Sequence, residues 1–350
     1  MIRDYDEALL GAALDNDTEK LTYCLDRAAD INYQNEFGST ALSIASYHGH
    51  LQAVHVLLQH WASPYVEDKQ GNRPLTDACM GEGDFDVIRL LFEQDSNGHE
   101  EPNNEGKTAL SYACQNNNVE AVELFLGSTC HLEQKDNLGH TALFDAGSVE
   151  IAKLLLERGA HMNIEANNGD TPFSWACKND RVEVAELLLD RGANILHKNK
   201  EGKTPLVLAS ENGKTKAVQL LLDRGCHVDL GDCHRSTPLL VACKNGHWRT
   251  VKLLLDRGAN LEHHDNSNWT ALALASMAGH VDTVRILMER GAGIHLAVLW
   301  ETSKGSRRIV TPTMARAGMG RTGASSTNSK DKSMMNNNMK TQQKRKRRMN

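Results

Sequence analysis

The chain has 350 residues, with 39 Lys+Arg against 45 Asp+Glu and a formal net charge of -6. That length exceeds one ordinary hydrophobic core, and no run of about 18 apolar residues offers a membrane span. The opening MIRDYDEALL is acidic and has no apolar stretch of the kind a secretory signal needs.

In chain order, residues 5–37 read as a worn helix-pair unit. Leu9, Ala12, Leu21, Cys24 and Leu25 hold apolar positions, and Ala28 stands where later units have Gly. A polar outer face here would cap a stack. The second unit, about 38–70, carries Gly38, Thr40-Ala41-Leu42 and Gly49-His50, but Trp61 replaces its closing Gly. The third, about 71–105, has Arg73-Pro74-Leu75 and is two residues longer, with extra residues in the Gly81–Asp84 turn and around Ser96–Glu101. The fourth, about 106–138, has Thr108-Ala109-Leu110, with Thr129 where Gly is expected. The fifth, about 139–168, is short, because Thr141 and Thr171 are only 30 residues apart. The three missing residues fall between Ala146 and Val149, which predicts an indented surface and a weak joint.

The next three units, beginning at Gly169, Gly202 and Arg235, repeat with a period of 33 residues. Each opens on Thr-Pro (Thr171, Thr204, Thr237) and closes on Asp-Arg-Gly. Thr suits a helix N-cap and Pro the first helical position. A short helix with small residues, such as Ala176 and Cys177, is therefore expected after each pair. Val184, Leu187 and Leu188 then form the apolar stripe of a second helix, which Gly192 closes with a left-handed cap. A ninth unit starts near residue 268 with Thr270-Ala271-Leu272 and Gly279-His280, and Ile294–Trp300 is the expected cap. No unit can cover its own Leu stripe, so the units must stack. From Glu301 the balance is 13 Lys+Arg to 2 Asp+Glu and no apolar period survives. This end is expected to be disordered.

Thr-Pro-Leu, Ala, Gly-His and Leu-Leu-Leu-x-x-Gly-Ala-Asn at these offsets resemble ankyrin repeats over about residues 4–296. The resemblance implies an all-α ankyrin-repeat solenoid of helix–turn–helix units with hairpin-like fingers, binding a protein on its concave face. The expected domains are a degenerate capping repeat (1–37), an array of about eight repeats (38–296) with the fifth unit of the chain shortened, and a disordered basic tail (297–350).

The expected function is a non-catalytic protein–protein interaction scaffold, monomeric, without cofactor or metal, and cytoplasmic and/or nuclear. The alternative is a nuclear regulator whose tail also contacts nucleic acid. An enzyme subunit ranks below both, because no phosphate loop, zinc-protease motif or nucleophile elbow is present. Cys79, Cys114, Cys177 and Cys243 share one small-residue position, which favours buried, reduced thiols. By register, Phe37, Ser39, Asn72, Leu138, His140, Asp170 and Trp269 are finger positions facing outward, and Tyr47, Met80 and Met277 are inner-helix positions. Phe37, Tyr47 and Met80 are the expected protein-binding cluster, with Trp269 and Met277 as a second anchor. Asn116, Asn179, Asn212 and Asn245 recur at one inner position, either as a ladder for a partner backbone or as helix-end caps. The Cys226-His227, Cys233-His234 and His263-His264 pairs carry zinc-type ligands, but their spacing matches no usual zinc pattern. Asn32 and Asn163 resemble asparagine-hydroxylation sites of ankyrin proteins. Lys344, Arg345, Lys346, Arg347 and Arg348 form a basic run suited to nuclear import, to weak nucleic-acid contact, or to tethering onto the acidic array.

Overall fold

The computed structural model describes residues 2–81, 83–95, 98–128, 130–293, 299–303 and 306–310. Contacts divide the chain into Met1–Ile294 and His295–Asn350. Among the described residues of the first part nine helix pairs follow one another. They are α1 (Ile2–Leu14) with α2 (Thr18–Leu25), α3 (Ala41–Tyr47) with α4 (Leu51–Gln59), and α5 (Pro74–Met80) with α6 (Phe85–Gln94). Next come α7 (Ala109–Gln115) with α8 (Val119–Leu126), α9 (Ala142–Asp145) with α10 (Val149–Glu157), and α11 (Pro172–Lys178) with α12 (Val182–Asp190). The last are α13 (Pro205–Glu211) with α14 (Thr215–Asp223), α15 (Pro238–Asn245) with α16 (Trp248–Asp256), and α17 (Ala271–Ala278) with α18 (Val281–Glu289). First helices pack on first helices and second on second, giving two layers.

The local chemistry follows the repeat. Thr40, Thr108, Thr171, Thr204, Thr237 and Thr270 each accept an N–H from the first helical turn. Leu57, Leu91, Phe125, Leu155, Leu188, Leu221, Leu254 and Leu287 occupy one register position and are all fully buried, forming the spine of the second layer. Burying each such side chain contributes about 1.5–3 kcal/mol. The four same-position thiols are buried and free, as expected. Trp61 keeps the closing turn despite lacking glycine's freedom. Its φ is +67°, and the Ala62 N–H still reaches the Leu57 carbonyl at 3.0 Å. Its ring is left 88% exposed.

The fingers are built by an Asn or Asp three residues before a residue with positive φ, a glycine in most fingers and Arg235 and Asn268 in the last two. Asp68 Oδ1 accepts the N–H groups of Gln70 and Asn72 at 2.8 Å each, and Asn103, Asp136, Asn199, Asp232 and Asp265 repeat the pattern. Successive fingers are stitched by single backbone bonds, such as Lys69 N–H to Phe37 O (3.0 Å) and Asn104 N–H to Gln70 O (2.9 Å). The Asp-Arg-Gly ends gain a second role here. Arg224 pairs with Asp190, Arg257 with Asp223 and Arg290 with Asp256, each one unit back. Being exposed, these pairs set register more than stability.

Unit five departs as its length requires. Helix α9 has four residues, and its missing turn leaves carbonyls at Phe144 and Ala146. Arg181 of the next unit donates to both, at 2.9 Å each. In units two, eight and nine a histidine at that position does this job. The His247 ring meets Glu211 O at 3.0 Å and the His280 ring meets Lys244 O at 3.1 Å. These histidines lie over Gly213 and Gly246, where an added Cβ would fall 2.6 and 2.5 Å from the ring. That close approach ties the glycine of one unit to the histidine of the next. The helix that ends early needs the longer side chain.

In the second part, strands β1 (Leu299–Ser303) and β2 (Ser306–Val310) pair antiparallel, Leu299 opposite Val310. The sequence reading did not anticipate this hairpin in the basic segment. Residues 311–350, including Lys344–Arg348, lie outside the described residues, as do Thr129 and most of the expected 294–300 cap.

Candidate functional site

Units two and three form an open cleft of about 320 Å³ at their fingers and first helices. Phe37, Tyr47 and Met80 all line it, together with Ile44, Asp68, Lys69 and Asp77. The expected amino-end cluster therefore comes together. Phe37 is carried on a finger turn, where its N–H is held by Asn35 Oδ1 at 2.9 Å and the next residue, Gly38, has φ +84°. Its ring is 66% exposed. Tyr47 and Met80 are the last residues of α3 and α5. Gly81 lets the chain pass across Tyr47, because a Cβ there would lie 2.7 Å from the tyrosine ring. The Tyr47 ring packs edge-on to His48 with centroids 5.2 Å apart.

The floor of the cleft holds the residue that the sequence reading missed. Asp77 is only 6% exposed. Burial pushes its carboxyl up to about 7; the Asp68 charge adds to the rise and a hydrogen bond with Ser43 opposes it. The signal was present in the register. Asp77 stands four residues after the cap position, where other units have Ile44, Tyr112, Trp175, Leu208, Val241 and Leu274. Asp145 makes the same replacement in unit five, and there Lys107 reaches it at 3.4 Å. The residue corresponding to Lys107 one pair of units earlier is Ser39. Among the described residues no lysine or arginine pairs with Asp77.

Other candidates fall elsewhere. The four recurrent asparagines turn their amides to helix ends. Asn116 donates to Cys79 O (2.9 Å) and Met80 O (3.1 Å), and Asn245 to Glu211 O (2.9 Å). Asn179 and Asn212 donate to Trp175 O (2.9 Å) and Leu208 O (2.8 Å) of their own helices. Donors needed for a partner backbone are thus already engaged, which is the capping role. Trp269 and Met277 are half-buried in unit nine and do not line the cleft.

Three finger positions expected outside are buried. Asn72 accepts from Asn103 Nδ2 and Asp170 from Asn199 Nδ2, at 2.8 Å each. His140 is 6% exposed because Phe144 and Trp175 cover it, with ring centroids at 4.7 and 4.4 Å. Burial lowers its pKa below the ordinary histidine value, while the Asp136 carboxylate opposes the shift. Among the described residues, Cys226, Cys233, His263 and His264 form no group of three metal ligands. Asn32 Oδ1 is engaged by the Ser63 N–H at 2.9 Å, and Asn163 is exposed. No described helix is long and apolar enough to cross a membrane.

The family described as Ankyrin repeats (3 copies) matches residues 9–101, 83–166, 147–232 and 226–297. The putative ankyrin repeat protein YahD of Escherichia coli is 28% identical over 176 residues, 47% of this chain and 86% of that one. The ankyrin repeat and KH domain-containing protein mask-1 of Caenorhabditis elegans is 32% identical over 148 residues, 41% of this chain and 6% of that one. The palmitoyltransferase AKR1 of Lachancea kluyveri is 28% identical over 186 residues, 49% of this chain and 25% of that one. The chain thus spans a quarter or less of the two longer relatives. With stacked helix pairs, Asx-turned fingers and family matches running from residue 9 to 297, this chain belongs to the ankyrin-repeat family, whose fold is an interaction module.

Proposed function

We propose that the array is a non-catalytic scaffold that binds a protein partner in the cleft of units two and three, through an apolar side chain set beside a Lys or Arg. The carrying observation is Asp77. It is a buried carboxylate under an aromatic rim, and the internal cation that its counterpart Asp145 receives from Lys107 is absent. A cation supplied by a partner would relieve the cost of ionising it, while Phe37, Tyr47 and Met80 provide apolar contact. Random-peptide display against the full chain tests this. Selected peptides should carry a basic residue next to an aromatic or aliphatic one. The Phe37→Ala, Tyr47→Ala, Met80→Ala triple variant should weaken them about 30-fold, the equivalent of about 2 kcal/mol at a hot spot. Neutral selections, or full binding by the triple variant, would sink the proposal.

We also propose that Lys344–Arg348 direct import, and that the chain works in the cytoplasm, the nucleus or both. Five consecutive cations motivate this reading. Contact of the same run with nucleic acid would be weak and salt-sensitive, roughly 10⁻⁴–10⁻⁶ M. The test is the distribution of a large fluorescent fusion after these five residues are changed to Ala. An unchanged nuclear-to-cytoplasmic ratio removes the import role.

A further inference from the structure

We propose that His99, Glu100 and Cys130 form a binding site for a zinc-class transition-metal ion, joining the fingers of units three and four, with water as the fourth ligand. The ligand atoms that the three residues offer all lie within 4.8 Å of one another. Tetrahedral zinc holds N and O ligands at about 2.0 Å and S at about 2.3 Å, which puts ligand atoms about 3.3–3.8 Å apart. Closing the site therefore asks for a shift of about 1 Å at two loop segments.

The repeat itself marks these residues as departures. Four residues before the turn position, other units have Ile31, Pro64, Leu132, Met162, Ile195, Val228 and Leu261, whereas unit three has His99. That imidazole is 1% exposed and stacks on Phe125 at 5.2 Å, with Phe92 against it at 5.4 Å. Cys130 stands where Ala62, Ala160, Ala193, Ala259 and Ala292 stand elsewhere. Cys226 is another thiol at this position, but one unit back the register positions of His99 and Glu100 hold Ile195 and Leu196. The metal-capable group found among the described residues is the one where both departures coincide.

The surroundings orient the ligands. Glu100 Oε1 accepts the His131 N–H at 2.8 Å and faces His131 Nδ1 at 3.0 Å. The first of these bonds recurs as Glu133 to the His161 N–H and Glu262 to the Gly293 N–H, so the carboxylate is held by a hook common to the array. A carboxylate has lone pairs beyond those two bonds. Ser128 Oγ lies 3.3 Å from His99 Nε2 and fixes the ring. The mixed N, O and S donor set suits zinc or cobalt and excludes calcium and magnesium, which take oxygen ligands. Burial pushes the Cys130 thiol up to about 11. The ion must therefore displace a proton to solvent, as metal-bound thiols do.

The experiment titrates Co²⁺ into the reduced, chelator-stripped full chain. A one-to-one thiolate-to-cobalt absorption band is expected, together with tetrahedral visible bands, all bleached by Zn²⁺. Cys130→Ala and His99→Leu each install the side chain of sibling units, so both should keep the parent circular dichroism while losing the band. Cys226→Ala and Cys233→Ser should retain it. Zn²⁺ should raise the melting temperature of the parent and leave the Cys130→Ala variant unmoved. Absence of a saturable band in the parent overturns the site, as does a band that survives both the Cys130→Ala and the His99→Leu substitution.

Discussion

Between roughly pH 5 and pH 7 the parent chain should lose about 1.4 kcal/mol of stability per pH unit relative to Asp77→Asn. The folded carboxyl is pushed to about 7, above its ordinary 3.8. An acid whose folded pKa is raised binds its proton more tightly in the folded state than in the unfolded one. Its favourable contribution is complete below the unfolded pKa and is lost as pH rises through the folded value. The window is therefore about pH 4 to pH 7, and stability falls in the alkaline direction. At pH 8 the Asn variant should exceed the parent by on the order of 3–4 kcal/mol. Urea denaturation of both proteins from pH 5 to 8 measures the difference, in which the histidines common to both cancel. A difference that stays flat with pH would show that Asp77 is not held protonated. The same chemistry predicts the opposite trend for a basic peptide in the cleft, which should bind more tightly at pH 8 than at pH 6 because a cation prefers the ionised carboxylate. Stability and binding then pull against each other at one side chain, as is common at functional sites.

Arg181→Met should cost about 2–3 kcal/mol. A charged donor to a carbonyl contributes about 1.5–3 kcal/mol, and a buried acceptor left bare adds its own desolvation penalty. Arg181 serves two such carbonyls, Phe144 and Ala146, and burial lowers its pKa while Asp145 opposes the shift. Arginine remains charged regardless. Arg181→His, which copies the residue of units two, eight and nine, should not rescue, because the early end of α9 puts the acceptors beyond an imidazole's reach. Amide exchange across residues 141–150 should quicken in both variants and leave 204–222 unchanged. It should already be faster at 141–150 in the parent, where the short helix buries less. Equal protection of the two stretches in the Met variant would mean that Arg181 does not hold the joint.

The repeat arithmetic determined much of this molecule before any coordinate. A period of 33 residues, Thr-Pro starts and Asp-Arg-Gly ends placed the helix pairs, because capping and apolar spacing act within a few residues of one another. The same register carried Phe37, Tyr47 and Met80 to one cleft, since stacking neighbours superposes equivalent positions. It also located the deletion in unit five. It did not tell which side of a position water reaches. His140, Asn72 and Asp170 count as finger residues by register, yet they are covered by side chains from the same and neighbouring units. The recurrent asparagines looked outward until carbonyls of their own and preceding helices were seen within 3.1 Å. The charge of Asp77, the reach of Arg181 and the meeting of His99 with Cys130 were likewise decided by tertiary structure. Each depends on what lies 30 to 40 residues away across a packed interface. There, exclusion of water and distances of a few ångströms set protonation and pairing, and no local pattern encodes either.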